Sequence, residues 1–112
     1  MKKVEAIVRS SMLEPLKEAL FQSGVGGLTV SEVMGCGSQH GWSEYVRGSE
    51  VLVTMLPKIK FDLVVADDEV ESVVELIRKT AYTGEVGDGK IFVMPVEQVI
   101  RIRTGESGEA AV

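Results

Sequence analysis

The chain has one cysteine, one histidine and one tryptophan, and aromatic residues make up only 5% of it. A single cysteine, Cys36, finds no disulfide partner in its own chain. With His40 as the sole histidine, one chain also lacks the donors for a Cys/His zinc site. A Ser-His-Asp arrangement would have to recruit that histidine from a polar stretch, which disfavours nucleophilic catalysis. No apolar run reaches the roughly 18 residues of a membrane span, and no signal-peptide pattern opens the chain, so the expected location is cytoplasmic. Block-like clusters of Lys or Arg are missing too. Against 17 acidic residues stand 12 basic ones, for a net charge of −5. A nucleic-acid footprint is not supported. Any anionic ligand has to be held by local geometry, because the overall field repels it.

What is present fits one globular domain. The 112 residues, 45% apolar and 26% charged, suffice for a hydrophobic core, at a size that gains from oligomerisation. Residues Lys2 to Arg9 alternate, with Val4, Ala6 and Val8 on one face and Lys3, Glu5, Ile7 and Arg9 on the other, the pattern of a half-buried strand. Ser11 and Glu14 have capping-box spacing. Leu13, Leu16, Ala19 and Leu20 then form a helical stripe that Gly24 ends. Leu28 to Gly35 reads as a second strand. Lys58 to Ala66 alternates again, with Ile59, Phe61, Leu63 and Val65 inward and Lys58, Lys60, Asp62 and Val64 outward. Asp67 or Asp68 is placed to cap a helix whose stripe is Val70, Val73, Val74 and Ile77. Strand-like segments follow at Lys90–Met94 and Val99–Arg103, and the tail from Gly105 to Val112 is small and polar.

This order predicts an α+β domain over residues 1–112, a ferredoxin-like split βαβ (βαββαβ) with a long loop between strands 2 and 3 and a C-terminal strand or ribbon. Both helices should cover one face of an antiparallel sheet. Ile7, Val33 and Val64 should leave the other face apolar and point to assembly through it.

Two irregular stretches are candidates for function. Residues 36–51 lose all periodicity. Gly-x-Gly at Gly35 and Gly37 opens the stretch, and Trp42, Tyr45, Arg47 and Ser49 are scattered along it. It reads either as a long hairpin tip or as a partner-docking loop, since exposed aromatics beside arginine make hot spots. In residues 83–90, Gly84, Gly87 and Gly89 precede Lys90. Inward-turned amides beside an ammonium would nest an anion. The spacing of Gly84, Gly89 and Lys90 matches a phosphate loop, but Ile91 stands where a magnesium-binding hydroxyl belongs, and a helix precedes the loop where a strand should. A tight turn with a surface lysine is the other reading. Arg101 and Arg103, two apart on one strand face, would clamp a phosphate or stand solvated.

Taken together, Thr83-x-x-x-Gly87-Asp88-Gly89-Lys90-Ile91-Phe92-Val93 and Val99-Ile100-Arg101-Ile102-Arg103-Thr104-Gly105-Glu106 resemble the PII nitrogen-regulatory signal-transduction proteins. The likeness extends to Met1-Lys2-Lys3, Gly35-Cys36-Gly37-Ser38-Gln39, Arg47-Gly48-Ser49-Glu50 and Leu56-Pro57-Lys58. It implies a homotrimer of ferredoxin-like subunits binding ATP or ADP competitively in clefts between subunits. Gly87, Asp88, Gly89 and Lys90 would surround the phosphates, with Arg101, Ile102 and Arg103 reaching in from the neighbour. Ile7, Thr29, Asp62 and Val64 would line the adenine, and Gly35, Cys36, Gly37 and Ser38 the near side of the nucleotide. With MgATP bound, 2-oxoglutarate would be taken by Gln39, His40, Gly41 and Lys58, and Gln39 would ligate Mg. Lys58 can pair with a carboxylate, and an amide oxygen suits Mg.

The resemblance further implies partners docking through the long loop: an ammonium transporter (the only membrane contact expected), glutamine synthetase or a regulator of nitrogen metabolism. Relatives carry a uridylylated tyrosine where this chain has Val51, which offers no hydroxyl to modify, and a second tyrosine at the position of Val46. Ser49 lies where some relatives are phosphorylated, although a serine at a loop tip is commonly a turn residue. Cys36 and His40 replace an aromatic residue and a lysine. The expectation is a regulator and not an enzyme. The alternatives are a small ATP-hydrolysing enzyme, with Asp88 the only plausible base near the loop, an adenylate-only sensor, or a structural or metal-binding trimer of the same fold that takes no nucleotide.

Overall fold

The computed structural model describes side chains for residues 1–36 and 55–112, and between them the backbone of Trp42–Val46 and Ser49–Val53. Strand β1 (Lys2–Arg9) leads into helix α1 (Leu13–Gln22) and strand β2 (Thr29–Gly35). Strands β3 (Trp42–Val46) and β4 (Ser49–Val53) form a separate two-stranded antiparallel ribbon. Strand β5 (Leu56–Val65), helix α2 (Val70–Ala81) and strand β6 (Gly89–Pro95) complete the set. The main sheet has the order β2-β5-β1-β6, with every neighbouring pair antiparallel. Strand β5 lies between β2 and β1, so β1-α1-β2 is a βαβ unit split by the strand that starts the second unit. That is the expected α+β arrangement.

Period-two alternation produces the core. Val4, Ala6 and Val8 on β1 and Ile59, Phe61, Leu63 and Val65 on β5 are all buried. Above them lie Leu16 and Leu20 of α1 and Val73, Ile77 and Ala81 of α2. Burying a side chain such as Phe61 contributes about 1.5–3 kcal/mol relative to leaving it exposed. Gly24, at φ 89°, ends α1 as the stripe predicted, its N–H donating to the Phe21 carbonyl at 3.1 Å. Pro15 sits in the first turn of α1, where no N–H partner is missed.

Four expectations are corrected. Ser11 does not cap α1: a 3-10 turn at Ser10–Met12 runs straight into the helix, and Met12 at the N-cap makes no side-chain bond. Neither Asp67 nor Asp68 caps α2, which is entered through a second 3-10 turn at Asp67–Glu69. Instead Asp67 accepts the Met1 amine at 2.7 Å, and that bond holds its carboxyl below the usual carboxylate range.

Val99–Arg103 is no strand. The Gly105 N–H closes back onto the Arg101 carbonyl at 2.8 Å, with Gly105 at φ 73°. A turn therefore occupies residues 102–104, and only an isolated bridge joins Ile100 to Ser107. The sheet face away from the helices is not an apolar surface either. Register sets Lys60 beside Ile7, Lys58 beside Val33, and Lys3 beside Val64. Lys3 and Asp62 approach to 3.5 Å and Lys60 and Glu5 to 3.6 Å, so ion pairs interleave with the apolar residues.

The long excursion is ordered differently from a plain loop. Its backbone pairs Trp42 with Val53 through to Val46 with Ser49, which favours the hairpin reading of its local structure. No described helix is long and apolar enough to cross a membrane.

Candidate functional site

The glycine loop leaves α2 at Ala81 and delivers the chain to β6 at Gly89. At Gly89 the strand passes so close to β1 that a Cβ would lie 1.9 Å from the Ile7 carbonyl oxygen. With φ at 120° as well, only glycine fits there. This contact sets the end of the loop and puts Lys90 beside Ile7 in the β1–β6 register. Lys90 itself is exposed, and among the described residues it forms no ion pair.

Inside the loop, Asp88 is the organiser. Its carboxylate accepts the Thr83 N–H at 2.9 Å, the Gly84 N–H at 3.1 Å and the Thr83 hydroxyl. These bonds, those from Thr83 foremost, hold its carboxyl below the ordinary carboxylate range, with the Arg9 charge adding to the effect. The carboxylate is thus taken up by donors of its own loop. What the loop offers a phosphate is its backbone and Lys90, and a carboxylate kept ionised and engaged in this way is a poor general base.

Two cations hold the loop from the sheet side. Arg9, the last residue of β1, donates from Nη2 to the Val86 carbonyl at 2.6 Å, and its Nε lies 3.8 Å from Asp88 Oδ1. Lys58 donates from Nζ to the Gly87 carbonyl at 3.0 Å. The two are direct cross-strand partners in the β1–β5 register. Lys58 also borders a groove of about 410 Å³ between the start of α1, β2 and β5. A second groove, of about 370 Å³, lies between α2 and the start of β6, with Asp88, Gly89 and Lys90 along its rim. Only the second groove is lined by loop residues, and neither by itself gathers all the candidate residues.

Thr29 and Asp62 are cross-strand neighbours on the open sheet face, with Ile7 and Val64 half-buried on the same face. Gly35 and the exposed Cys36 lie at the end of β2, with Lys58 packed 3.6 Å from where a Gly35 Cβ would be. The Arg101–Arg103 segment stands apart. Its bonds run to Glu106 and within its own turn, and Ile102 is 100% exposed. Among the described residues, no hydrogen bond or ion pair joins that turn to the glycine loop. Gly37, Ser38, Gln39, His40, Gly41, Arg47 and the side chains of Trp42, Tyr45, Val46, Ser49 and Val51 lie outside the described residues.

Sequence reasoning included Thr83 in the 83–90 loop without a role of its own, and it did not place Arg9 in the site. Arg9 reads as one more outward residue of β1. Only the pairing of β1 with both β5 and β6 brings it under the loop, and no local pattern encodes that.

As a chemical unit, the loop has a fixed backbone, one exposed lysine and two further cations bonded to its carbonyls. Such a site suits an anion with several oxygens. The whole chain, and not the loop alone, matches known proteins. A family profile described as "Nitrogen regulatory protein P-II" matches residues 1–106. The nitrogen regulatory protein P-II of Mesorhizobium japonicum is 53% identical over 112 residues, covering all of both chains. The P-II protein of Cereibacter sphaeroides is 54% identical and the nitrogen regulatory protein GlnK of Escherichia coli K12 is 51% identical, each again over the full length of both chains.

Proposed function

Because the chain belongs to the P-II nitrogen regulatory family, we propose that it senses ATP, ADP and 2-oxoglutarate and signals through the segment spanning residues 36–51. The observation that carries this reading is the split between two half-sites. One chain presents a braced anion loop whose own arginine, Arg9, is taken up by the Val86 carbonyl and Asp88. It also presents Arg101 and Arg103 around a fully exposed Ile102, with no partner for that isoleucine among the described residues. A neighbouring subunit that covered this turn would take the isoleucine out of water and bring both arginines toward the loop. In a homotrimer, each glycine loop would face the next subunit's turn.

In this arrangement Gly87, Gly89 and Lys90 receive the phosphates, with Asp88 holding the loop in shape. Arg101 and Arg103 of the next subunit supply the charge that closes the cleft. The adenine lies against Ile7, Thr29, Asp62 and Val64. Gly35, Cys36, Gly37 and Ser38 border the nucleotide. Lys58 links the two ligands physically. Its ammonium has three donors, one of which already holds the Gly87 carbonyl of the phosphate loop. A dicarboxylate taken up by Gln39, His40, Gly41 and Lys58 therefore acts on the nucleotide loop through one shared side chain. The Gln39 amide oxygen would help hold Mg, which would supply positive charge beside the two anions.

The nucleotide state then selects the arrangement of residues 36–51, and partners read that arrangement by differential contact. The partner classes are an ammonium transporter, glutamine synthetase or a regulator of nitrogen metabolism. Sedimentation equilibrium combined with ATP calorimetry tests the proposal. It expects a trimer that binds one ATP per chain, whereas a monomer binding ATP with the same affinity would overturn the intersubunit site.

A further inference from the structure

The chain turns at Val86–Gly87, and Gly87 sits at φ 98°. With a β-branched valine at the first corner, which disfavours the positive φ of type I′, positive φ at the second fits a type II turn, and reversal of its central peptide gives the type I form. A planar trans peptide holds its C=O and N–H in opposite directions. Whatever grips the Val86 carbonyl therefore also decides where the Gly87 N–H points.

Arg9 grips it, at 2.6 Å from Nη2. We infer that Arg9 is a positioning residue for anion binding: by holding the Val86 carbonyl it fixes the flip of the Val86–Gly87 peptide and turns the Gly87 N–H away from the sheet, toward the ligand. The inference rests on the proposed reading of this loop as a phosphate site. Arg9 makes one hydrogen bond here, from Nη2 to the Val86 carbonyl. Among the described residues its Nε makes none, and it lies 3.8 Å from Oδ1 of Asp88, whose carboxylate ties down Thr83 and Gly84. A guanidinium fork reaches both groups at a fixed spacing, which a single ammonium does not reproduce.

Gly87 is matched to this neighbour. A Cβ there would lie 3.3 Å from Arg9 Nη2 and 3.7 Å from Lys58 Nζ, so the residue supplies both the positive φ and the room for the two cations. Lys58 holds the next carbonyl in line, that of Gly87. The two cations orient two successive peptides while their own charges are directed at carbonyl oxygens. Arg9 thereby acts through the loop and does not itself meet the phosphate.

The test uses the full chain with Arg9→Gln and Arg9→Lys. In the protein without nucleotide, the Gly87 amide resonance should move in Arg9→Gln, move less in Arg9→Lys, and leave Gly24 unchanged as the internal reference. ATP calorimetry at several salt concentrations should show about tenfold weaker binding for Arg9→Gln, the range expected for losing one charge-assisted hydrogen bond. The dependence of affinity on salt should match the wild type, because no phosphate contact has been removed. An unmoved Gly87 resonance or undiminished ATP affinity would overturn the inference. So would a weaker salt dependence in Arg9→Gln, which would make Arg9 a direct phosphate contact. If the wild-type chain binds no ATP, the phosphate reading fails separately, and the Gly87 resonance still decides whether Arg9 sets the flip.

Discussion

Replacing Gly89 with alanine should damage this domain more than its small size suggests. The added Cβ would lie 1.9 Å from the Ile7 carbonyl oxygen, 3.0 Å from the Ile7 carbonyl carbon and 3.1 Å from the Val8 Cα. All three are backbone atoms of the strand beside it, and none can swing aside as a side-chain tip would. The residue must also hold φ at 120°, which costs a residue with a Cβ roughly 1–3 kcal/mol. Forcing the strands apart adds about 1–3 kcal/mol more, as overpacking does elsewhere. The expected loss is about 4 kcal/mol, a large part of the roughly 5–15 kcal/mol that holds a domain together.

Two other glycines calibrate the effect. Gly84→Ala meets the movable Tyr82 hydroxyl at 3.3 Å, with φ at 80°, and should cost about 1–2 kcal/mol from the left-handed backbone. Gly27→Ala meets nothing within 4 Å and should change stability by less than about 0.5 kcal/mol. The assay is urea unfolding followed by circular dichroism, at equal protein concentration because association shifts apparent stability. A Gly89→Ala midpoint equal to that of Gly27→Ala would refute the close-contact argument.

Acid should loosen the glycine loop before it unfolds the sheet. The Asp88 carboxyl is held below its ordinary value by Thr83, Gly84 and Arg9, so its stabilising contribution is complete above about pH 4 and is lost as pH falls through the lowered pKa. Amide resonances of Thr83 and Gly84 should shift in that acid window, and resonances that stay fixed there would refute the assignment. Mixed oligomers address the cleft: Lys90→Ala and Arg103→Ala chains should each bind ATP weakly alone. Mixing them should restore wild-type affinity to a share of clefts, where an intact loop meets an intact turn, and no recovery would contradict the intersubunit arrangement.

Much of the fold is visible in local patterns because it is local in cause. Strict alternation along Lys2–Arg9 and Lys58–Ala66 marks the two central strands, where one face is buried whatever the partners are. Gly24 as a helix end and the strained glycines of the loop are equally local, fixed by backbone geometry. The failures share a different cause. Ser11 and Asp68 had cap-like spacing, but 3-10 turns carry the chain into both helices. Arg101 and Arg103 alternated with Ile100 and Ile102 as a strand would, yet a strand needs a neighbour to bond, and the chain closes on itself through Gly105.

The outward face misled for the same reason. Counting Ile7, Val33 and Val64 along separate strands misses the lysine that register places beside each of them. Arg9 is the sharpest case, because its role depends on three strands and a loop coming together. The family, by contrast, was legible from the residue types and spacing of the glycine loop and of the segment after Val99.

The central claim is that nucleotide and dicarboxylate are read together at one cleft. It is tested most directly by titrating 2-oxoglutarate calorimetrically into the protein with MgATP, with MgADP and with no nucleotide. The account predicts heat of binding with MgATP alone. Equal binding in all three titrations, or none in any of them while ATP itself binds, would contradict it.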